Sequence, residues 1–455
     1  MNPLLIGNSL AAIVALEEFK NKNQKVSWVD TGGPAGGIFG GMKWQDGTIT
    51  DVGMNLLEFT QLRSPNTHSD VFLYQPDNRA DLPRFFPIVQ KWIEARVEVQ
   101  QVDTPLQYWR GITTLDLLIA NEPECLQLLP HMIQQEILAS LSIPEDDLHA
   151  RNKFNTPEGI IPPTYAQIGE ANHGSWLQKN LMDPWVEKNI RISSNELPGR
   201  YHRVAWAPLF YPETLKAFLT DKSFRLSPTL FAYPTLERFG AWMDKLYYQF
   251  IQTPTIQYFQ GHPLQLNKNA QGWELHIGKE VISTSHIIWT GSLLSFASAV
   301  GEKEIPVFEQ TGWHWIKLTW NRKHLIRNFS VLNIPEIEIP VTRITHLSHT
   351  QSSEEITLFA EIPYQDTPDP QRVIETLWKS GLIESEIQPL TILQQSSGPR
   401  FVLPYLSQIE TWNHFRQTLL DKYSGLTLMG SAAPYNASSF NDQILQGIKA
   451  GQFCQ

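Results

Sequence analysis

The sequence predicts an α/β protein, and three observations carry that expectation. A short apolar run, Leu4-Leu5-Ile6, is ended by Gly7, and apolar residues then recur at helical spacing at Leu10, Ile13, Val14, Leu16 and Phe19. After a polar turn from Asn21 to Lys25, Val26-Ser27-Trp28-Val29 reads as a second strand closing on Asp30. At the far end Leu426 to Met429 reads as a strand that stops at Gly430 and leads through a polar loop into a helix beginning near Asn441. The first two observations define a β–α–β unit of the kind that opens a doubly wound sheet. The third predicts that the same sheet is completed by distant segments of the chain.

The elements between follow in order. Glu122 to Leu141 and Leu236 to Ile251 have helical patterning, with Pro-rich connections around Pro157, Pro162 and Pro163. Strands are expected at Thr255 to Leu266, Trp273 to Ile277 and His286 to Trp289, interrupted by a turn from Asn267 to Gly272. Trp313 to Trp320 and Thr342 to Glu361 form a further β-rich region. No internal repeat and no low-complexity tract is visible. The middle of the chain therefore reads as an α+β domain, an antiparallel sheet with helices, set into the first domain.

Composition limits what such a protein does. With 455 residues, 42% hydrophobic and 18% charged, the chain has enough apolar material for a large core, which excludes wholesale disorder. The balance of 36 Lys and Arg against 46 Asp and Glu gives −10, and no basic run offers a phosphate-tracking surface, so no nucleic-acid partner is expected. The two cysteines, Cys125 and Cys454, supply neither a disulfide framework nor a CxxC metal motif, and no metal site is expected. Residues 3 to 16 are mostly apolar, but no positive segment precedes them and Asn8 and Ser9 interrupt the run, so they do not read as a signal peptide. No uninterrupted apolar stretch reaches the roughly 18 residues a transmembrane helix needs. A soluble, cytoplasmic protein acting on a small-molecule substrate is the expectation.

Gly7-Asn8-Ser9-Leu10-Ala11-Ala12 stands where a G-x-G-x-x-G/A fingerprint would stand. The first glycine permits the tight turn, the second position must be small so that backbone amides approach a pyrophosphate, and the third lets the helix pack against the sheet. Ser9 replaces the second glycine and Ala12 takes the third place. Asp30, 23 residues after Gly7, is positioned to accept hydrogen bonds from a ribose. The alternative is a tight β–α turn that binds nothing.

A second glycine cluster, Gly32-Gly33-Pro34-Ala35-Gly36-Gly37-Ile38-Phe39-Gly40-Gly41, follows Asp30 directly, and Asp51-Val52-Gly53 comes soon after. Here the chain resembles the flavoproteins of the amine oxidase and UDP-galactopyranose mutase superfamily, in which an acid is followed by a Gly-Gly turn passing close to FAD and a D-x-G closes the N-terminal FAD region. Gly430, then Ser438-Ser439-Phe440-Asn441-Asp442-Gln443, is similar to the family's last FAD motif, whose helix N-terminus favours an electron-rich group. Ile287-Ile288-Trp289-Thr290-Gly291 resembles another FAD-domain strand. The resemblance implies FAD as cofactor, a Rossmann-like FAD-binding domain over 1–60, 235–300 and 420–455, and a substrate domain over 61–234 and 301–419. It implies cofactor contacts at Gly7, Ser9, Leu10, Ala12, Asp30, Gly36, Gly37, Leu264, Gly430, Asn441, Asp442 and Gln443. The chain departs from the family pattern at Ile38, where Arg or Lys is common, and at Ser431, where an acid is common.

Pro340-Val341-Thr342-Arg343-Ile344-Thr345-His346 and Phe359-Ala360-Glu361-Ile362-Pro363 look like segments of the mutase branch, in which the corresponding arginine helps bind the substrate diphosphate. Arg343 is accordingly the first expected substrate-binding residue, because a guanidinium fork matches phosphate oxygens; an ordinary ion pair is the other reading. The mutase histidine after D-x-G is absent, Met54-Asn55-Leu56-Leu57 standing in its place, and the next histidine is His68. In Tyr201-His202-Arg203-Val204-Ala205-Trp206, Tyr201, Arg203 and Trp206 are candidate pocket residues and His202 a candidate general base, against the alternative of an aromatic loop packed between domains. His346 and His349 lack a carboxylate at a metal-ligand spacing. The expected activity is an FAD-dependent oxidoreductase acting on a small polar metabolite, with a nucleotide-linked sugar among the candidates. The alternatives are a nucleotide-sugar mutase using reduced FAD and a cofactor-free binding or scaffold protein on the same fold.

Overall fold

A computed structural model describes residues 2–51, 53, 56–58, 82–119, 122–141, 161–210, 212–221, 231–235, 237–261, 265–346, 354–396 and 401–453. Leu264, His68, His349, Cys454 and three residues of the Asp51–Leu56 turn lie outside the described residues. Mixed α/β architecture is observed, with a five-stranded parallel sheet, a seven-stranded largely antiparallel sheet and four smaller sheets among the described residues.

The parallel sheet has five strands in the order Ile256–Gln260, Val26–Asp30, Leu4–Ile6, Ile287–Trp289 and Leu426–Leu428. Every neighbouring pair is parallel. The chain between the strands crosses over rather than turning back, so the strand ends that carry Gly7, Asp30, Thr290 and Gly430 line one edge. The three central strands are buried along their whole length, and two of them, Leu4–Ile6 and Ile287–Trp289, are continuous apolar runs rather than alternating ones.

The expected first helix spans Leu10–Asn21. Ser9 caps it, accepting a hydrogen bond from the Ala12 N–H and satisfying one of the amides that a helix start leaves free. The spacing predicted an amphipathic helix, yet Leu10 to Leu16 are all fully buried. The reason is the last helix, Phe440–Phe453, which covers the side facing away from the sheet. Close approach is possible because residue 447 is glycine: a Cβ there would lie 2.5 Å from Val14 Cβ and 2.7 Å from the Ala11 carbonyl oxygen. At the helix start Ser439 and Asp442 cap each other reciprocally, the Ser439 N–H donating to Asp442 at 3.1 Å and the Asp442 N–H to Ser439 Oγ at 3.3 Å.

The second sheet has seven strands in the order Thr391–Ser396, Trp313–Asn321, Glu355–Pro363, Arg343–His346, Val331–Asn333, Leu106–Trp109 and Ile112–Leu115. One face is apolar: Leu106, Leu332, Ile344, Ala360 and Ile316 pack with Val373, Ile374 and Leu377 of the helix Pro370–Lys379. Helices Tyr165–Leu177 and Asp183–Ile190 contribute to a separate core with Leu117, Leu197 and Phe210.

Several boundaries differ from the sequence expectation for identifiable reasons. The helix expected over Glu122 to Leu141 is two, Glu124–Leu128 and His131–Ser140, because Pro130 cannot continue the first. The helix expected from Leu236 begins at Ala241, where Asp51 accepts bonds from the Phe239 and Gly240 amides just ahead of it. Thr255 to Leu266 divides between two sheets, Ile256–Gln260 in the parallel one and Gln265–Asn269 in a small antiparallel one with Gly272–Ile277.

Replacing Gly447 by Ala should force the last helix off the first. Overpacking of this kind costs about 1–3 kcal/mol, so the urea midpoint should fall with an unchanged slope; an unchanged midpoint would show that the helices can separate freely.

Candidate active site

The edge of the parallel sheet is built from small residues held close together. Gly7 has φ +105°, and a side chain there would collide with Thr290 Oγ1. A Cβ on Gly430 would lie 3.0 Å from both Ser9 Oγ and the Thr290 carbonyl. The glycine cluster folds back on this edge: the Gly36 N–H donates to the Asn8 carbonyl at 2.7 Å, and Asn8 Nδ2 donates to the Gly32 and Gly33 carbonyls at 3.1 and 3.0 Å. Gly37 lies beside Ser9, whereas Gly32 and Gly33 face open space.

Two polar positions at this edge are already engaged within the chain. Asp30, buried at the end of its strand, accepts the Gly32 N–H on one carboxylate oxygen and the Tyr247 and Tyr258 hydroxyls on the other. Gln443 is buried and its Oε1 accepts the Ala11 N–H at 3.3 Å, in the first turn of the first helix. Leu10 and Ala12 are buried in that turn, Asp442 is occupied by its own helix cap, and Asn441 is half-buried beside it.

Across from this edge the inner face of the seven-stranded sheet carries a continuous polar row. Strand register places Thr114, Gln107, Asn333, Arg343, Glu361, Trp315 and Gln395 opposite one another in sequence across the sheet, so their side chains share a face. At its centre Arg343 and Glu361 form an ion pair at 3.5 Å, each side chain 4% exposed. Arg343 also lies over the Trp206 ring at 5.6 Å. The glycine of Asp51-Val52-Gly53 meets the row here: a Cβ on Gly53 would be 3.7 Å from the Trp315 ring and 4.0 Å from Glu361 Oε1. The turn is held from behind by Asp51, which accepts the Tyr233 hydroxyl and two backbone amides. Lys317, two residues beyond Trp315 on the same strand, bonds Asp46 and Thr48 at 3.0 and 2.7 Å and ties the preceding hairpin onto the same face.

Polar atoms in this row lack partners. Gln107 Nε2, both side-chain atoms of Asn333, Arg343 Nε, Thr345 Oγ1 and Glu361 Oε1 are buried without a hydrogen bond among the described residues. A buried polar group left unpaired costs about 1–3 kcal/mol, so a run of them marks a surface that a polar molecule or water completes. Burial pushes the Glu361 carboxyl above the usual carboxylate range, and Arg343 pulls it back down.

The structure brings only part of the expected cluster to this row. Trp206 reaches Arg343. Tyr201 instead packs edge-on against Tyr435 at 5.6 Å, and His202 stacks on buried Tyr165 at 5.9 Å with Nδ1 against the Ala207 carbonyl. Arg203 belongs to the same short helical turn, Gly199–Ala205. His346 lies against Phe329, its Nδ1 3.1 Å from the Phe329 carbonyl. Glu361, Asn333, Gln107 and Trp315 were not among the expected site residues. For Glu361 the signal was an acid inside the apolar strand Leu358-Phe359-Ala360-Glu361-Ile362; Gln107 and Asn333 show their significance only once the strands pair.

No helix among the described residues is long and apolar enough to cross a membrane. The fold is similar to that of solved structures of UDP-galactopyranose mutase and of amine oxidases. Reduced UDP-galactopyranose mutase superposes with a TM-score of 0.73 at 14% identity, covering 99% of this chain and 93% of that one. Cyclohexylamine oxidase from Brevibacterium oxydans gives 0.58 at 13%, covering 99% and 98%, and a putrescine oxidase variant gives 0.53 at 10%, covering 99% and 98%. No protein-family model matches the sequence, and no curated protein matches it.

Replacing Arg343 by Met should leave Glu361 buried without its counter-ion, at a cost of about 3–5 kcal/mol near neutral pH. The acid's raised value sets the sign. Below it Glu361 is neutral and the cost disappears; above it the buried charge is exposed to the full penalty. Denaturation at acidic and neutral pH should therefore show a deficit that shrinks as pH falls, and a deficit equal at both would place the cost outside the ion pair.

Proposed function

We propose that the protein is an FAD-dependent oxidoreductase acting on a small polar metabolite bound between Gly53 and the polar row of the seven-stranded sheet. The observation that supports this reading is the buried Arg343–Glu361 pair beside Gly53, surrounded by unpartnered hydrogen-bonding atoms. In this reading 1–60, 235–300 and 420–455 make a Rossmann-like FAD-binding domain, and 61–234 with 301–419 make the substrate domain.

The backbone of the sheet edge fits a dinucleotide: a glycine turn no larger residue can make, a capped helix start behind it, an acid ending the second strand, and open space over Gly32 and Gly33. Gly7, Ser9, Leu10 and Ala12 would hold the pyrophosphate side, Asp30 the ribose, and Gly36, Gly37, Gly430 and the start of the last helix the remainder. When bound, FAD supplies an acceptor for the hydride removed from a substrate carbon. Glu361 Oε1 takes the proton leaving the neighbouring substrate nitrogen or oxygen, a role its raised value suits. Arg343 Nε, Asn333 and Gln107 orient the substrate through hydrogen bonds, and Trp315 and Trp206 keep water from the reacting centre.

A paired Arg343 adds no net positive charge, which favours a hydroxyl- or amine-bearing substrate over a multiply charged anion. The TM-score of 0.73 with UDP-galactopyranose mutase supports a second reading, rearrangement of a nucleotide-linked sugar on reduced FAD. Product analysis with UDP-sugars under oxidising and reducing conditions separates the two.

Protein reconstituted with FAD and then desalted should retain flavin absorbance bands; a colourless product would sink the proposal and favour a cofactor-free binding protein. The Tyr247 hydroxyl competes with a ribose for Asp30, so Tyr247→Phe should retain FAD several-fold more tightly in a fluorescence titration. Once a substrate is found, kcat/KM should rise with pH through an apparent value above the ordinary 4.5 of Glu. That limb should vanish in Glu361→Gln.

A further inference from the structure

Lys188, on the helix Asp183–Ile190, is 1% exposed and forms no side-chain ion pair among the described residues. Its Nζ donates to three backbone carbonyls, Ile334 at 2.6 Å, Glu336 at 2.8 Å and Val341 at 2.6 Å. An ammonium carries three N–H donors, so all are used. The three acceptors belong to one turn, residues 334–342, which connects the strand ending at Asn333 to the strand beginning at Arg343. Two acceptors are placed tellingly: Ile334 directly follows Asn333, and Val341 is two residues before Arg343. The neck of the turn is otherwise closed by the Ile334 N–H to the Thr342 carbonyl and the Thr342 N–H to the Glu361 carbonyl, both 2.9 Å.

We propose that Lys188 is a positioning residue: its ammonium is a built-in cation inside a carbonyl cage that holds the 334–342 turn closed and thereby fixes Arg343 and Asn333 opposite each other on the inner face of the sheet. A hydrocarbon of the same length would fill the space and leave three buried carbonyls without donors. A neutral amine has two N–H groups and would leave one. The arrangement is therefore sensitive to charge rather than to volume. The consequence for substrate binding rests on the active-site reading above; the closure of the turn does not.

The groups facing the ammonium have both signs. Glu336 and Glu338 come from the turn and Asp366 from the segment after Pro363. Arg191 comes from the end of the lysine's own helix and Arg372 from the helix Pro370–Lys379. Burial lowers Lys188 to about 7, opposed by Glu336 and Asp366 and assisted by Arg191. The ammonium is present below that value and gives way to the amine above it. A cavity of about 350 Å³, lined by Lys188, Arg191, Glu338, Asp366 and Arg372 among others, reaches the site.

Hydrogen–deuterium exchange of the Ile334 and Thr342 amides tests this on the full chain without any ligand. In the wild type, exchange corrected for intrinsic rates should accelerate about tenfold between about pH 6 and pH 8.5, the range over which one donor is lost. Lys188→Met should exchange fast at both pH values, and Lys188→Arg, which keeps its charge, should be slow at both. In Lys188→Ala, propylammonium entering through the cavity should restore protection, whereas tetramethylammonium, with equal charge and no N–H, should not. Exchange in a folded Lys188→Met as slow as in the wild type would overturn the proposal, and so would a failure of propylammonium to restore any protection in Lys188→Ala. Equal rescue by both cations would overturn it too. An intact pH response together with an Arg343→Ala variant of unchanged substrate affinity would instead remove the active-site reading and leave the cage.

Discussion

A guanidinium and a carboxylate buried side by side are tolerated only when each supplies what the other lost in leaving water. Arg343 and Glu361 meet that condition at 3.5 Å in the middle of a sheet, and much else is arranged around them. The opposite face of the same strands is largely apolar, so the pair sits where alternation turns it away from that core. Trp206 covers the guanidinium, Trp315 stands beside the carboxylate, and Gly53 leaves room that any side chain would fill. The pair satisfies charge without satisfying every hydrogen bond, since Arg343 Nε and Glu361 Oε1 have no partner among the described residues. Those unused positions are where a polar molecule would gain most.

The two walls of the site are made by different physics. The parallel sheet contributes backbone: a tight glycine turn, a helix start and small residues that let chain segments approach within van der Waals contact. The seven-stranded sheet contributes side chains, ordered by register into a row that no single sequence segment contains. Asp51 joins the two by accepting the Tyr233 hydroxyl and the amides before the helix Ala241–Ile251. Its burial raises the cost of its charge, and the three donors offset that cost. Loss of Asp51 would thus disturb both the turn that carries Gly53 and the start of that helix.

The parallel unit was largely legible because its signals are local. Leu4-Leu5-Ile6, Gly7, the helical spacing from Leu10 and the strand closing on Asp30 lie within thirty residues, and each has one reading consistent with its neighbours. The engagement of Asp30 was not legible, because Tyr247 and Tyr258 arrive from an adjacent helix and strand far along the chain. The polar row was less legible still. Gln107, Asn333, Arg343 and Glu361 are spread over more than 250 residues and become neighbours only through pairing. His202 shows the converse. Its neighbourhood in sequence is rich in aromatics and charges, but the turn Gly199–Ala205 directs it onto Tyr165 inside the helical core. Local density of reactive residue types says little about which way they point.

The occupied positions at the sheet edge follow from the same rule that governs the ion pair. A carboxylate as buried as Asp30 cannot be left waiting for a ribose, so Tyr247 and Tyr258 donate to it, and Gln443 Oε1 likewise accepts the Ala11 N–H. Binding a dinucleotide there is then an exchange of hydrogen bonds rather than a net gain of them. The surplus must come from apolar contact with the ring systems and from the open space over Gly32 and Gly33. Ser9, Ile38 and Ser431 add little charge to that balance. Under the flavoenzyme reading this makes affinity modest by construction, and it places the specificity of the protein in the polar row, where the unpaired atoms are.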